Sequence, residues 1–187
     1  LFVGLGNPGA AYARTRHNLG AECVRRMAES WGFPSFKLKS NVHAQCTSGV
    51  CAQQNVQCAI PTTYMNLSGQ AVSAVLRFYK LSPERLIVAH DDLDLPLGTC
   101  RLKLGGGHGG HNGLRNLIEH LKTPHWWRIR LGIGRPHPDK SVSDYVLSTW
   151  LPHETPAVEH MLDQILPLLP QCISGAWSIA MQQLHTH

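Results

Sequence analysis

The pattern of apolar and polar residues along the chain predicts strands that alternate with helices. Short apolar runs indicate strands, whereas apolar residues three and four positions apart indicate helices that bury one face. The predicted strands cover residues 1–5, 43–51, 55–60, 86–89, 101–104 and 128–133. Helical spacing occurs within residues 24–31, 71–79 and 114–121, and again in the last third of the chain, where Pro167 and Pro170 interrupt it.

This alternation predicts one α/β domain over residues 1–187, with a mixed, largely parallel twisted sheet flanked by helices. In such folds ligands bind at the carboxyl ends of the strands. We therefore expect Asn7, His17, Asp91 and the glycine-rich loop, residues 105–110, to meet at one edge of the sheet although they lie far apart in sequence.

The composition fits a globular protein, because 43% of the 187 residues are apolar and 16% are charged. No apolar stretch approaches the roughly 18 residues of a membrane span, and the first residues do not have the pattern of a secretory signal. Leu1 lies inside an apparent strand, so we expect a few native residues to precede it. Six scattered cysteines without a Cys-x-x-Cys pair favour reduced thiols in a cytoplasmic protein.

The positive charge is concentrated in one segment. The chain has 17 Lys and Arg against 12 Asp and Glu, a net charge of +5. Between Gly98 and Pro138 only Glu119 opposes Arg101, Lys103, Arg115, Lys122, Arg128, Arg130 and Arg135. This surplus indicates either a solvated basic face or a site for a polyanion such as a phosphate backbone.

One candidate for general-base chemistry is a histidine facing a carboxylate. His17 precedes the first predicted helix, and the strand at 86–89 runs into His90-Asp91-Asp92-Leu93-Asp94. A histidine of ordinary pKa, about 6.5, can take a proton from water near neutral pH, and a carboxylate on its other ring nitrogen would orient it.

Three other chemistries compete with this interpretation. His90, Asp91, Asp92 and Asp94, or His108 and His111, could bind a metal, although neither group has a recognised ligand spacing. Ser68 could act as a nucleophile, but it lacks a G-x-S-x-G context and could equally serve as a helix cap. Residues 4–9 match G-x-G-x-x-G, yet Pro8 removes an amide and helical spacing begins only some ten residues later, which argues against a dinucleotide site.

The glycine-rich loop is the most unusual stretch, because six of the ten residues 104–113 are glycine. Such a loop allows the backbone to approach a bulky ligand closely. Lys103 lies on one side of it, and Arg128 and Arg130 come from the following strand, so these cations could clamp a phosphate.

Taken together, these motifs resemble bacterial-type peptidyl-tRNA hydrolase. The matching segments are GLGNPG at 4–9, TRHN at 15–18, PTTYMNLSG at 61–69, HDDLD at 90–94, GGGHGGHNG at 105–113 and RLGIGRP at 130–136. They occur in the family's order and span nearly the whole chain, although residues 31–56 carry little resemblance. Asp92 stands where the family commonly has glutamate.

The resemblance implies an esterase that releases peptides from tRNA dropped by the ribosome. It implies a monomer that needs no cofactor, with peptidyl-tRNA as its nucleic-acid ligand. We also expect no metal, no membrane association and no obligate protein partner. The resemblance assigns His17 as catalytic base with Asp91 as its partner, and it gives roles to Asn7, Asn66 and Asn112. Lys103 and Arg130 would bind the 5′ phosphate of the tRNA. The further substrate-binding residues would be Tyr12, Tyr64, Met65 and His111.

A base-assisted water suffices for an ester, so no covalent intermediate is required. We expect His17 to activate water and Asn7 to donate to the developing oxyanion, with Asn66 and Asn112 pairing with peptide backbone of any sequence. A non-catalytic tRNA-binding module, a metal-dependent hydrolase and a nucleotide-cofactor enzyme remain the alternatives.

Overall fold

The apolar runs form one seven-stranded sheet in the computed structural model, which describes residues 1–185. The strands are β1 Phe2–Gly4, β2 Lys37–Lys39, β3 Ala44–Cys51, β4 Gln54–Pro61, β5 Ile87–Asp92, β6 Cys100–Leu104 and β7 Trp127–Gly132. Their order across the sheet is β2-β3-β4-β1-β5-β7-β6. The four central strands β4, β1, β5 and β7 run parallel, and antiparallel pairs complete both edges.

The predicted mixed α/β sheet is thereby confirmed, with one strand added. The apolar pattern did not predict β2, which has only three residues, Lys-Leu-Lys, and pairs with β3 at the edge of the sheet. A short, charged strand is typical of sheet edges, where it discourages pairing with other chains. Its single apolar residue, Leu38, is exposed, so no periodic signal marks it.

Helices cover both faces of the sheet. They are α1 Leu19–Ser30, α2 Ser68–Tyr79, α3 Asn112–Leu121, α4 Val142–Val146, α5 Thr155–Ile165, α6 Leu169–Ile173 and α7 Trp177–His185. Helices α1 and α5–α7 pack on one face around Met27 and Met161, whereas α2 and α3 pack on the other around Val72 and Leu117. Each face thus buries its own apolar cluster, as expected for a parallel sheet.

Two glycines bring α1 unusually close to the sheet. A methyl group on Gly20 would lie 2.2 Å from the carbonyl oxygen of Ala89 in β5, and one on Gly4 would lie 2.4 Å from the carbonyl oxygen of Gly20. The amide of Ala21 also donates to the carbonyl of Leu5 at 3.0 Å. The residues that precede α1 are therefore held above the carboxyl end of β5.

The six cysteines are all unpaired, and five of them are buried. Burial raises the pKa of Cys23, Cys58 and Cys172 to about 12 in each case. These thiols are poor nucleophiles at neutral pH, since the thiolate is the reactive form. Within residues 1–185, none of the helices has the length and apolar character needed to cross a membrane.

Candidate active site

His17 lies directly against Asp91, at the edge of the sheet predicted from sequence. It occupies a 3₁₀ turn, Arg16–Asn18, immediately before α1. Its Nδ1 is 2.9 and 3.0 Å from the two carboxylate oxygens of Asp91. Only 8% of His17 and 3% of Asp91 is exposed, so water screens this contact weakly.

A second histidine shares the same carboxylate. Nε2 of His111 lies 2.9 Å from Oδ1 of Asp91. The other ring nitrogen of His111, Nδ1, accepts the backbone amides of Gly113 at 3.1 Å and Leu114 at 3.3 Å, and so caps α3. Because amides can only donate, Nδ1 must carry a lone pair and the proton of His111 must be on Nε2.

This assignment also determines the state of His17. Asp91 is ionised and accepts a hydrogen bond from Nε2–H of His111, and it can equally accept a hydrogen bond from Nδ1–H of His17. A neutral His17 with its proton on Nδ1 has a lone pair on Nε2, the ring nitrogen opposite Asp91. The pair is thus arranged as a general base whose tautomer is set by its neighbours.

The charges within the cluster of His17, Asp91 and His111 shift the pKa of His17 upward and the pKa of Asp91 downward. Burial tends to lower the pKa of His17, but the charge of Asp91 and its hydrogen bond outweigh burial, so the pKa lies above the ordinary 6.5. Burial tends to raise the pKa of Asp91, and the charges and hydrogen bonds of His17 and His111 instead hold it well below its usual range. Asp91 therefore stays ionised throughout the range in which His17 titrates.

His90 supports the main chain of Asp91. It is 2% exposed, and its Nδ1 donates to the carbonyl oxygen of Asp91 at 2.8 Å. Burial, together with the charge of His111, lowers the pKa of His90 to about 3. His90 is therefore neutral at physiological pH and adds no charge to the pair beside it.

The hydrogen bonds among His17, Asp91 and His111 favour a proton between each histidine and the carboxylate over a bound metal ion. Ligand atoms of His17, Asp91 and His111 all lie within 4.8 Å of one another, the kind of grouping that can hold a cation. A ligating histidine must offer a lone pair to the metal. Nε2 of His111 carries the proton instead, because its Nδ1 is occupied by two amides, so metal binding would require breaking the cap of α3.

Asn7 is held by both its backbone and its side chain. Its amide and carbonyl pair with the side chain of Asn18 at 2.8 and 2.9 Å. Its Oδ1 accepts the amide of Met65 at 2.8 Å. The Nδ2 group is therefore the end of this side chain that remains available to donate to a ligand in the cleft.

A cleft of about 990 Å³ extends from the His17–Asp91 pair. Its walls include nearly all the site residues predicted from sequence: Asn7, His17, Tyr64, Met65, Asn66, Asp91, Lys103, His111, Asn112 and Arg130. Tyr12 lies outside this lining, but its ring packs edge-on against Tyr64 with 6.4 Å between centroids. Asn66 and Asn112 are exposed, and neither side chain has a hydrogen-bond partner within residues 1–185.

The basic residues of β6 and β7 divide into two kinds. Lys103 lies opposite Arg128, and Arg130 is two residues farther along β7 on the same face. Lys103 is exposed, and Arg130 donates from Nε to Asp92 at 2.7 Å while its side chain remains 24% exposed. Arg128 differs from the expectation of a phosphate clamp, because it is only 3% exposed and its guanidinium donates to carbonyls of the glycine-rich loop.

The sequence reasoning missed the wall of the cleft formed by α4. Val142, Ser143, Val146 and Leu147 line it there. A signal was present, because Ser141 and Asp144 have the Ser-x-x-Asp spacing of a helix start, and Oγ of Ser141 accepts the amide of Asp144 at 3.0 Å. A five-residue helix is too short to show a periodic apolar face.

The structure also bears on two of the competing chemistries. Ser68 is fully buried as the first residue of α2, and its Oγ donates to the carbonyl of Met65 at 2.8 Å, so it is neither a cap nor an accessible nucleophile. Within residues 4–9, Gly4 and Gly6 face α1 and the turn before it, whereas a methyl on Gly9 would meet nothing within 4 Å. A methyl on Gly6 would lie 3.0 Å from Cγ of Asn18 and 3.1 Å from Cβ of Ala21, so Gly6 packs against the start of α1.

Known proteins resemble this chain over its whole length. The family model described as peptidyl-tRNA hydrolase matches residues 1–187. The peptidyl-tRNA hydrolase of Pseudomonas fluorescens strain SBW25 is 46% identical over 188 residues, covering 100% of this chain and 96% of that protein. The Nitrosospira multiformis enzyme of the same name is 44% identical, with 100% and 97% covered. The crystal structure of peptidyl-tRNA hydrolase from Acinetobacter baumannii superposes with a TM-score of 0.94 at 39% identity, covering 100% and 94% of the two chains.

Proposed function

The chain belongs to the peptidyl-tRNA hydrolase family, and from this premise we propose that His17 carries the reaction by activating water. The enzyme hydrolyses the ester bond that joins the peptide to tRNA in peptidyl-tRNA. The observation that supports the role of His17 is its contact with Asp91, which directs the proton to Nδ1 and leaves the lone pair of Nε2 for a water in the cleft.

In the first step Nε2 of His17 takes a proton from water while the water oxygen attacks the ester carbonyl. Asp91 stabilises the imidazolium that forms, because its carboxylate is buried and already oriented by His111. The imidazolium then returns the proton to the departing ribose oxygen. General-base help of this kind contributes about 10²–10⁴ in rate.

The Nδ2 group of Asn7 is the donor for the oxyanion. Its orientation is supported by the amide of Met65, which occupies Oδ1 of Asn7 and so keeps the amide from flipping. A donor of this kind is worth about 3–4 kcal/mol in the transition state. Since Asn7 is also held at its main chain by Asn18, the donor needs no reorganisation when the substrate binds.

Asn66 and Asn112 bind the peptide through its backbone, because an amide offers both a donor and an acceptor whatever the neighbouring side chain. Their exposure and free hydrogen-bonding groups support this role. Tyr12, Tyr64 and Met65 provide the apolar contacts beside them, and Tyr64 is 56% exposed at the cleft.

Lys103 and Arg130 bind the 5′ phosphate of the tRNA. Both reach the cleft from adjacent strands, and the ion pair of Arg130 with Asp92 uses only Nε, which leaves its two Nη groups for the phosphate. Phosphate contacts position the tRNA without reading its sequence. An enzyme that recycles tRNA of any sequence from stalled or aborted translation needs this kind of recognition.

We further infer that residues 1–187 act as one domain and as a monomer in the cytoplasm, where its substrate arises during translation. The single sheet, with one apolar cluster on each face, supports one domain.

The test is hydrolysis of a labelled N-blocked peptidyl-tRNA by the wild type and by His17→Ala, with His160→Ala as a matched control on the exposed side of α5. We expect His17→Ala to lose turnover while it still binds tRNA, and His160→Ala to behave as wild type. Binding without turnover by the wild type would favour the non-catalytic module. Unchanged turnover by His17→Ala would remove His17 from the mechanism.

A further inference from the structure

Arg128 lies in a buried position beneath the glycine-rich loop. Its Nη1 donates to the carbonyl of Gly107 at 2.6 Å, and its Nη2 donates to the carbonyl of Gly106. The guanidinium carbon is 5.3 Å from the ring centroid of Trp126, which is fully buried. Arg128 itself is only 3% exposed, and part of it forms the floor of the cleft beneath the loop.

Burying the guanidinium of Arg128 away from water costs free energy, because no carboxylate in the described part of the chain pairs with it. Within residues 1–185, ion pairs closer than 4.0 Å join Arg16, Arg26, Arg130 and Arg135 to carboxylates, but none reaches Arg128. Burial and the repulsion of Arg130 lower the pKa of Arg128, and Asp92 compensates only in part. A buried cation without a carboxylate beside it is retained only where its hydrogen bonds do something that an apolar residue cannot.

The shape of the guanidinium matches the backbone above it. Gly105 and Gly106 have φ of +66° and +110°, values that residues other than glycine rarely adopt. Two successive carbonyls, those of Gly106 and Gly107, therefore turn inward and meet the two Nη groups of one planar fork. The ammonium of a lysine cannot reproduce this fixed two-pronged geometry, although it has the same charge.

The loop joins the two halves of the site. At its start, Lys103 folds against it, since a methyl on Gly106 would lie 3.1 Å from Nζ of Lys103. At its end, His111 donates to Asp91 and Asn112 begins α3. Any displacement of the glycine-rich loop would consequently move the phosphate-binding cation and the second donor to Asp91 together.

We propose that Arg128 is a positioning residue that holds the glycine-rich loop through the carbonyls of Gly106 and Gly107, and so sets the places of Lys103 and His111. It acts through these groups and does not bind phosphate itself. The inference rests on the proposed function, because it assigns a further residue to the same site.

Two substitutions separate this role from a simple contribution of charge. Arg128→Lys retains the charge but loses the fork, whereas Arg128→Gln loses both. If Arg128 positions the loop, both variants lower kcat by about 10- to 100-fold, because small misplacements of reacting groups have effects of this size. The loss of kcat should be equal for peptidyl-tRNA with a 5′ phosphate and for the same substrate with a 5′ hydroxyl. Because Lys103 moves with the loop, KM should rise in addition for the 5′-phosphorylated substrate.

Two comparison variants calibrate the experiment. Arg130→Gln should raise KM for the 5′-phosphorylated substrate alone, and Arg77→Lys, on the exposed side of α2, should match the wild type. Near-normal activity of Arg128→Lys would overturn the proposal. So would an effect of Arg128→Gln confined to KM for the 5′-phosphorylated substrate, because that pattern belongs to a phosphate ligand.

A measurement that does not depend on turnover tests the role of Arg128 independently of the proposed function. The ring of His17 is titrated by NMR in the wild type and in Arg128→Lys. Displacement of His111 removes a hydrogen bond from Asp91, so the carboxylate attracts the proton of His17 more strongly. The midpoint of the His17 titration should therefore move to higher pH. An unchanged midpoint would overturn the proposal even if the enzyme were active, and a moved midpoint would support it even if peptidyl-tRNA were not the substrate.

If Arg128→Lys fails to fold, Gly106→Ala perturbs the same contact from the side of the loop and leaves β7 intact. A side chain at φ +110° is strained, so the inward carbonyls should turn away from Arg128. We expect the same loss of kcat on both substrates and the same movement of the His17 midpoint. Because the new methyl would also lie 3.1 Å from Nζ of Lys103, KM for the 5′-phosphorylated substrate should rise as well. Wild-type kinetics and an unmoved midpoint in this variant would count against the proposal.

Discussion

The replacement Asp91→Asn tests the tautomer argument most sharply, because the structure predicts which way the new amide turns. Nδ1 of His111 is occupied by the amides of Gly113 and Leu114, so its Nε2–H needs an acceptor. The Oδ1 of the asparagine must therefore face His111, and its NH₂ group must face His17. This NH₂ group replaces Oδ2, 2.9 Å from Nδ1 of His17, and so favours the proton of His17 on Nε2, against the competing acceptor Oδ1 at 3.0 Å.

The expected loss is large because the base then points its lone pair away from the water. General-base catalysis contributes about 10²–10⁴ in rate, so kcat should fall by a factor in that range. A loss of about 10³ corresponds to roughly 4 kcal/mol of transition-state stabilisation. Burial would also act unopposed on His17, since the Asp91 charge that offsets it is gone, and the pKa of His17 should drop below its ordinary value of 6.5.

The assay is single-turnover hydrolysis of labelled peptidyl-tRNA at saturating enzyme, with NMR titration of His17 in the same variant. Asp163→Asn, an exposed position on α5, is the matched control and should behave as wild type. The double variant Asp91→Asn/His111→Ala adds a second test. Without His111 the amide is free to turn its oxygen toward His17, so the double variant should recover about tenfold over Asp91→Asn alone, a non-additive effect typical of coupled neighbours.

Two results would refute this reasoning. Asp91→Asn within about twofold of wild type would mean that the tautomer of His17 does not limit the reaction. A double variant slower than Asp91→Asn would mean that His111 does not dictate the orientation of the amide. Either outcome would leave the contact in the structure without the role proposed for it.

The remaining predictions concern pH, charge, metal and packing. Because His17 must lose its proton to act, and Asp91 raises its pKa, wild-type kcat/KM should rise with pH through a midpoint above 6.5; a midpoint at or below 6.5 would contradict this. Lys103→Ala and Arg130→Ala should raise KM for peptidyl-tRNA more than for a short 3′-end mimic without the 5′ phosphate, and equal effects on both would argue against the clamp. EDTA should leave activity unchanged, whereas a loss restored by a divalent ion would revive the metal hypothesis. Gly20→Ala should destabilise the fold by about 2 kcal/mol or more in denaturant unfolding, since its methyl would lie 2.2 Å from the oxygen of Ala89. Gly107→Ala, whose methyl meets nothing within 4 Å, should change stability little.

Much of the fold could be predicted because the signals are local. The apolar runs at 86–89 and 128–133 became β5 and β7, and the helical spacing at 114–121 became most of α3. Burial of one helix face or of a short central strand depends on residues a few positions apart, so periodicity alone reveals it. The three-residue β2 and the five-residue α4 escaped, since neither is long enough to show a period.

The site was predicted in part for a different reason. We predicted that His17 and Asp91 lie together because the parallel strands of such a sheet end at one edge. The motifs of residues 4–9 and 105–113 indicated the same edge. These features identify which residues gather. They do not say which hydrogen bonds those residues make.

The sequence by itself determined the order of the longer strands and helices along the chain, the place of the cleft at the sheet edge and the resemblance to the family. Only the tertiary structure decided that His111 shares Asp91 with His17, that Arg128 donates to the glycine-rich loop while Arg130 pairs with Asp92, and that α4 forms part of the wall of the cleft. The physical reason is the sequence distance between the residues that determine each property. Secondary structure follows from neighbours along the chain, whereas the protonation of His17 depends on Asp91, 74 residues away, and on an α3 cap that no periodicity records.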